Sequence, residues 1–149
     1  MAEGILRKLM ADSGAEDALV ESASAGTMGL VGMPAAQKAV DVSAEYGVDI
    51  SGHTSQAATR KLLYNADLVL ALADDHYTFC MDIDVPEEQV FLLRAFPQRT
   101  ANLREMSVPD PIGQGRDVYQ KVFFQIDEAL RQSFPEIMQR ARAKAGMAE

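Results

Sequence analysis

The chain has 149 residues, a length that suits one domain and leaves little room for two. Its 22 Asp and Glu against 14 Lys and Arg give a net charge of −8, which argues against nucleic-acid binding because a phosphate backbone would be repelled. Apolar residues, 48% of the total, are enough for an ordinary core, and the single cysteine excludes an internal disulfide and a zinc site made wholly of cysteines.

No segment has the character of a targeting or membrane sequence. The N-terminal residues lack the basic and apolar regions of a signal peptide. The longest compact apolar stretch, residues 68–73, is far shorter than the roughly 18 apolar residues needed to cross a membrane. We therefore expect a cytoplasmic protein that has neither a membrane nor a nucleic acid as a partner.

The chain opens in a predicted amphipathic helix. Apolar side chains recur at helical spacing over residues 2–10, and Gly14 follows as a C-terminal stop. Residues 18–23 then predict a short strand, which runs into a glycine-rich loop. Pro34 stands where a second helix would start, and that helix is predicted to end near Gly47.

The middle of the chain predicts two buried strands. A weak helix is predicted over residues 56–64. Residues 67–73 form a nearly unbroken apolar run, as expected for a parallel strand that is buried on both faces. The acidic residues from Asp74 onward suit the N-terminus of a helix, and residues 89–93 predict another short buried strand.

The last third predicts a long loop and a long helix. Residues 97–111 are predicted to be mostly loop. An amphipathic helix follows from Val118; Pro135 is predicted to kink or end it, and residues 136–144 to add a last helical turn or two. Strands that alternate with helices predict one α/β domain with a parallel sheet over residues 1–149.

Cys80 is the only thiol in the chain. A phosphatase thiolate needs an anion-binding loop with an arginine six positions after the cysteine, whereas Pro86 stands six positions after Cys80. We therefore interpret Cys80 as a buried structural residue. The acidic residues around His76 have no recognised metal-ligand spacing, and the glycines match neither a dinucleotide-binding nor a Walker-type loop, so no metal and no cofactor is expected.

Asp110 lies between two prolines, Pro109 and Pro111, in the predicted loop. The proline after it pushes the aspartate into an extended conformation. Such a loop can hold one carboxylate over a cleft, where a protonated Asp can donate to a leaving-group oxygen. Asp-Pro is also common in turns, so the residues alone leave a plain turn open.

Six short segments follow one another in a specific order. They are Met1-Ala2-Glu3-Gly4-Ile5-Leu6-Arg7-Lys8-Leu9, Val20-Glu21-Ser22-Ala23, Gly32-Met33-Pro34-Ala35, Ile50-Ser51-Gly52-His53, Ala66-Asp67-Leu68-Val69-Leu70-Ala71 and Val108-Pro109-Asp110-Pro111. Together they resemble the low-molecular-weight protein-tyrosine-phosphatase family, nearly from end to end. Ile112-Gly113 stands where animal members carry two tyrosines, so the chain is similar to the bacterial branch, which includes protein-arginine phosphatases; arsenate reductases share the fold.

The resemblance implies a three-layer α/β fold, in which a four-stranded parallel sheet has helices on both faces. It implies a loop whose cysteine attacks phosphorus and whose arginine grips the phosphate, with the N-terminus of the next helix aimed at that anion. Asp110 is then the general acid, and Ser22, or Ser24 if the register shifts by two, supports the phosphate loop. The implied substrate is a phosphorylated protein or a small phosphate ester.

The chain departs from the family pattern at its start. In the family, the residues equivalent to Met1-Ala2-Glu3 directly follow the Cys-Arg-Ser-Pro of the loop. The 149 residues are therefore expected to be N-terminally truncated and to have no phosphocysteine chemistry. Because the strand before that loop is central in the family's sheet, its loss exposes two inner edges and predicts marginal stability or aggregation.

Several alternatives remain open on the sequence alone. Met1 is either an internal methionine of a longer protein or the start of a genuine truncated form, which the DNA upstream would decide. A pseudophosphatase that binds phosphoprotein without hydrolysis is a second class, and an unrelated flavodoxin-like binding domain is a third. The main expectation is a protein-tyrosine-phosphatase type of activity, with protein-arginine-phosphatase or arsenate-reductase-like activity as alternatives; the sequence does not name the substrate, and no oligomeric state is indicated.

Overall fold

Three helices precede the first strand, and from that strand onward strands and helices alternate, as the sequence predicts for this part of the chain. The structure is a computed structural model that describes residues 1–14 and 19–146. Its elements within those residues are α1 (Ala2–Ser13), α2 (Gln37–Glu45), α3 (Arg60–Tyr64), β1 (Val69–Ala71), α4 (Asp74–Asp82), β2 (Val90–Leu92) and α5 (Arg116–Lys144). A single 3-10 turn, Glu87–Gln89, leads into β2. None of the helices described is long and apolar enough to cross a lipid bilayer.

The two strands pair in parallel at the centre of the fold. Val69 lies opposite Val90, and Ala71 lies opposite Leu92. Every side chain of β2 is buried, which is typical of a parallel strand covered on both faces. The predicted strands over residues 67–73 and 89–93 are therefore confirmed in place, although each is shorter than its apolar run.

Helices cover both faces of this sheet. On one face, Cys80 of α4 packs with Val85 and Val90 in a small buried cluster. On the other face, α1 and α2 pack against α5 in the main core, which contains Ile5 and Leu93. This arrangement confirms the predicted three-layer α/β fold. Each fully buried aliphatic side chain in it contributes about 1.5–3 kcal/mol of transfer free energy.

Gly4 lets α1 approach the segment that follows α2. A Cβ atom at this position would lie 2.5 Å from Cγ2 of Ile50 and 2.9 Å from Cγ1 of Val48. Glycine in a helix interior costs about 1 kcal/mol of stability relative to alanine. The close packing that Gly4 allows therefore matters more here than the helix propensity of this one residue. At the other end of α1, Gly14 adopts a left-handed conformation (φ 71°) and ends the helix as predicted.

The prediction of a strand over residues 18–23 is wrong. The structure describes residues 19–23 of this segment and shows no strand there; Ala18 lies outside the described residues. From Val20 to Ser24 every second side chain is partly buried, which is the period-two pattern of an extended chain. A strand also needs a neighbouring backbone to pair with, and no described segment forms a ladder with these residues. The first bridge forms only at Gly26.

The helix predicted from Pro34 begins later, at Gln37. Pro34 instead forms an isolated antiparallel bridge with Thr54. The weak helix predicted over residues 56–64 is reduced to α3, because Thr59 caps that helix: its hydroxyl oxygen accepts a hydrogen bond from the backbone N–H of Leu62 at 3.2 Å.

Helix α5 does not end at Pro135 but runs unbroken through it. A proline inside a helix removes one backbone hydrogen bond and costs about 3 kcal/mol or more. Leu130 and Ile137, on either side of the proline, are both buried in apolar clusters. Packing of these side chains against the sheet and α1 therefore holds the helix together across a residue that would end an isolated one.

Candidate active site

The loop that carries Asp110 is attached to the carboxyl end of β1. The N–H of Val108 donates to the carbonyl of Leu72 at 2.8 Å, just past the last residue of the strand. The residue that directly follows β2 is bonded to the end of β1 as well: the N–H of Leu93 donates to the carbonyl of Ala71, also at 2.8 Å. The carboxyl edge of a parallel sheet is where ligands bind in open α/β folds, so Asp110 stands two residues from that edge.

A serine before this loop fixes its path. The Ser107 hydroxyl accepts a hydrogen bond from the N–H of Asp74 at 2.8 Å and donates to the carbonyl of Leu103 at 2.9 Å. The Arg94 guanidinium donates to the carbonyl of Glu105 at 3.3 Å. These bonds tie the loop to the N-terminus of α4 and to the end of β2, so the sheet sets its position.

Asp110 itself is exposed. Its Oδ1 accepts a hydrogen bond from the N–H of Ile112 at 3.0 Å, which forms a local turn around Pro111. Its Oδ2 has no hydrogen-bond partner among the residues that the structure describes. One carboxylate oxygen therefore orients the side chain, and the other is not hydrogen-bonded to any described residue.

Glu3, in the first turn of α1, contacts three polar side chains, two of which are distant in sequence. Its Oε2 accepts from the Ser24 hydroxyl at 3.0 Å and lies 3.2 Å from Nδ1 of His53. Its Oε1 accepts from Arg7 at 2.9 Å. The Glu3 side chain is only 14% exposed, so these contacts join the start of α1 to two other segments.

Sequence reasoning missed this cluster. Glu3 and His53 both stand in segments that carry the resemblance, but nothing local indicates that they meet. Acidic residues in the first turn of a helix are common because they complement its dipole. Only the folding of the chain brings the Ser24 and His53 segments to that turn.

The two candidate serines occupy different positions relative to α1. Ser24 contacts Glu3, and its carbonyl accepts a hydrogen bond from Nε2 of Gln56 at 2.9 Å. Ser22 is partly buried two residues earlier, on the same side of the extended segment. The Ser22 side chain has no hydrogen-bond partner among the described residues.

The start of α1 and the Asp110 loop both border the main core. Met1 packs against the main core cluster, which also contains Val108 and receives Leu72. The Asp110 loop is joined to the carboxyl end of β1, and the serine segment is joined to α1 through Glu3.

Cys80 lies away from the carboxyl edge of the sheet, in the cluster beneath α4. Its side chain is buried, which confirms the prediction of a buried structural residue. Burial also raises the pKa of the Cys80 thiol, and a thiol is nucleophilic only as the thiolate. No cluster of three or more His, Cys, Asp or Glu side chains suited to a metal occurs in residues 1–14 and 19–146.

The sequence profile of the low molecular weight phosphotyrosine protein phosphatases matches residues 1–144. The chain belongs to this family. Among curated relatives, the low molecular weight protein-tyrosine-phosphatase Etp of Escherichia coli K12 is 32% identical over 113 residues, which cover 76% of this chain and 73% of Etp. The family resemblance expected from the six segments is therefore confirmed.

Solved structures of low molecular weight phosphatases agree with this assignment. The protein tyrosine phosphatase from T. tengcongensis is 30% identical, with a TM-score of 0.77 over 91% of this chain and 88% of that one. The YwlE arginine phosphatase from Geobacillus stearothermophilus has a TM-score of 0.75 at 20% identity, over 96% of this chain and 86% of that one. The second likeness concerns the fold alone.

Proposed function

We propose that residues 1–149 form part of one phosphatase domain that hydrolyses phosphorylated proteins or phosphate esters by a phosphocysteine mechanism. In this mechanism Asp110 is the general acid. The observation that supports this role best is the attachment of the Asp110 loop to the carboxyl end of β1 through Val108 and Leu72. We further propose a cytoplasmic location, where a free thiol such as Cys80 stays reduced.

The geometry of Asp110 suits proton transfer to a leaving group. Oδ1 is held by the N–H of Ile112, and Oδ2 has no hydrogen bond to a described residue. A protonated carboxyl at Oδ2 can reach the bridging oxygen of a phosphate ester in front of the sheet edge. The same carboxylate can then accept a proton from the water that hydrolyses the phosphocysteine.

The start of α1 supplies the electrostatic part of the proposal. The N–H groups in the first turn of a helix have no intrahelical acceptor, and the helix dipole places partial positive charge there. An anion is stabilised at such a position. Ser22, with Ser24 as its alternative, is proposed to support the phosphate-binding loop beside this turn.

These 149 residues alone are proposed to lack catalysis. Their only thiol, Cys80, is buried under α4 and its pKa is raised, so it cannot attack a phosphate at the sheet edge. In this proposal, a loop before α1 supplies the nucleophile and the phosphate-binding arginine that the family resemblance implies. The Asp110 carboxyl supplies the general acid.

A fusion protein tests this proposal. In what we call the Etp fusion, the N-terminal segment of Etp, where the family resemblance implies the strand and the phosphate loop, is placed before Met1. We expect the fusion to hydrolyse p-nitrophenyl phosphate and the 149 residues alone to give no turnover above a denatured control. A fusion whose loop cysteine is replaced by serine is the matched control, and it should be inactive.

Two results would contradict the proposal. Turnover by the 149 residues alone would mean that their own side chains supply a nucleophile. A folded Etp fusion without turnover, as judged by a cooperative thermal transition and a native circular dichroism spectrum, would mean that the Asp110 side of the site does not support phosphatase chemistry.

A further inference from the structure

The segment between Asp110 and α5 packs against little else. We call residues 111–115 the exit segment, because they lead from Asp110 into that helix. Every residue in it is exposed except Pro111, which is partly buried. The N–H of Gln114 donates to the carbonyl of Pro111 at 2.9 Å, so the segment forms its own turn. That turn does not by itself fix where Asp110 stands relative to the sheet.

A lysine of α2 joins the exit segment to the rest of the fold. The ammonium group of Lys38 donates to the carbonyl of Gln114 at 2.8 Å, across 76 positions of sequence. Apart from bonds within residues 110–115 and those that begin α5, no other hydrogen bond links the exit segment to the described part of the chain. Unlike Lys8 and Lys144, Lys38 forms no ion pair with a described residue, so no carboxylate competes for its ammonium group. A charged donor also makes a shorter and stronger hydrogen bond than a neutral one.

The backbone that carries Lys38 is a fixed point. Ala39 and Val42, in the same helix, are buried in the main core. At the end of α2, Glu45 forms an ion pair with Arg116 in the first turn of α5. These contacts hold α2 against the start of α5 without help from Lys38. The lysine is therefore not needed to keep the two helices together, and its hydrogen bond acts on the exit segment instead.

We propose that Lys38 is a positioning residue, which holds the exit segment so that the Asp110 carboxyl meets the leaving group. This inference rests on the proposed role of Asp110 as the general acid. Val108 ties the chain to β1 before Asp110, and Gln114 ties it to α2 after Asp110. The aspartate thus stands between two fixed elements. Displacement of a reacting group by about 1 Å can cost about 10²-fold in rate, so the loss of one tie should be measurable.

Kinetics of the Etp fusion test the role of Lys38. Lys38→Met roughly keeps the length of the side chain and removes the donor. We expect it to lower kcat/KM by about three- to tenfold on phenyl phosphate, whose leaving group is strongly basic, and less on p-nitrophenyl phosphate, whose leaving group needs little protonation. Lys38→Arg keeps a charged donor and should retain most of the activity. The matched control is Lys121→Met, at an exposed lysine of α5 whose side chain has no hydrogen bond or ion pair with a described residue, and it should leave both values unchanged.

Two further measurements ask whether Lys38 acts through Asp110. In a fusion that already carries Asp110→Asn, Lys38→Met should cause no further loss on phenyl phosphate, because two changes that act on the same step are not additive. Amide nitrogen relaxation of the 149-residue chain, measured by NMR, needs no activity. Lys38→Met should lower the order parameters of the Ile112 and Gly113 amides toward about 0.6, the value below which a backbone is flexible, and leave those of α2 unchanged.

The outcomes separate this inference from the proposed function. An unmodified fusion without turnover, or an equal effect of Asp110→Asn on both substrates, contradicts the proposed function and with it the positioning role of Lys38. If Asp110→Asn behaves as the loss of a general acid but Lys38→Met leaves kcat/KM unchanged, the proposed function stands and this inference is wrong.

Other results would also overturn the role of Lys38. One is a loss that is equal on both substrates or that persists in the Asp110→Asn background, since Lys38 would then act on another part of the reaction. A second is the same loss in Lys121→Met, which would trace the effect to net charge. The third is a set of unchanged order parameters in Lys38→Met, which would mean that the lysine does not hold the exit segment.

Discussion

Two regions of the molecule are held by different forces. The packed half consists of α1, α5 and β2, whose buried side chains form the main core. The rim consists of residues 19–34 and 98–115, most of whose side chains are partly or fully exposed. Hydrogen bonds from Ser107, Arg94 and Gln56 attach the rim to the rest of the fold.

The packed half chiefly stabilises the fold, whereas the rim carries the residues proposed for chemistry. The candidate residues Asp110 and Ser22 both lie in the rim, while the sheet and helices beneath it provide the fixed frame. Active residues often stand on loops that a rigid scaffold positions. A change in the packed half should therefore lower the free energy of unfolding, whereas a change in the rim should chiefly alter local order.

Leu93→Ala in the packed half should have the largest effect on stability. Leu93 is 1% exposed and sits in the main core directly after β2. Removing its side chain leaves a cavity, so we expect a loss of about 2–5 kcal/mol in the free energy of unfolding, measured by urea denaturation. Ile112→Ala, at an exposed position of the rim, should change it by less than about 0.5 kcal/mol. Equal losses in the two variants would contradict the division into two regions.

Ser107→Ala should lower the free energy of unfolding less than Leu93→Ala does, but should loosen the loop around Asp110 more. It leaves the N–H of Asp74 and the carbonyl of Leu103 without the Ser107 hydroxyl, at a cost of about 1–2 kcal/mol. Amide hydrogen exchange should accelerate in the loop around Asp110 and stay unchanged in β2. Ser51→Ala removes an exposed serine hydroxyl elsewhere and is the control. Unchanged exchange around Asp110 would mean that Ser107 does not anchor the loop.

The sequence predicts the elements of the packed half better than those of the rim. Local sequence patterns determine the helices and strands of the packed half, whereas contacts between distant segments determine the path of the rim. The apolar run that became β1 and the apolar face of α5 are visible in single segments. Residues 18–23 have the alternation of a strand, but a strand depends on a partner that no local pattern reveals. Pro135 is the opposite case, since packing overrides a local helix breaker.

The candidate site follows the same rule. Prolines on both sides of Asp110 mark its loop in the sequence, and the family resemblance then makes Asp110 the candidate general acid. Glu3 was missed because its contacts, Ser24 and His53, come from segments that only the folded chain brings together. The position of the Asp110 loop also depends on one long-range bond, from Val108 to Leu72, which sequence spacing does not indicate.

The central claim is that Asp110 protonates the leaving group, and the Etp fusion tests it most directly. Asp110→Asn should lower kcat/KM, which reports only the steps up to formation of the phosphocysteine, by about 10²–10⁴-fold on phenyl phosphate, whose leaving group is strongly basic, and less on p-nitrophenyl phosphate, whose leaving group needs little protonation. Asp41→Asn, at an exposed aspartate on α2, should leave both rates unchanged. An equal loss on both substrates, or no loss at all, would contradict the role assigned to Asp110.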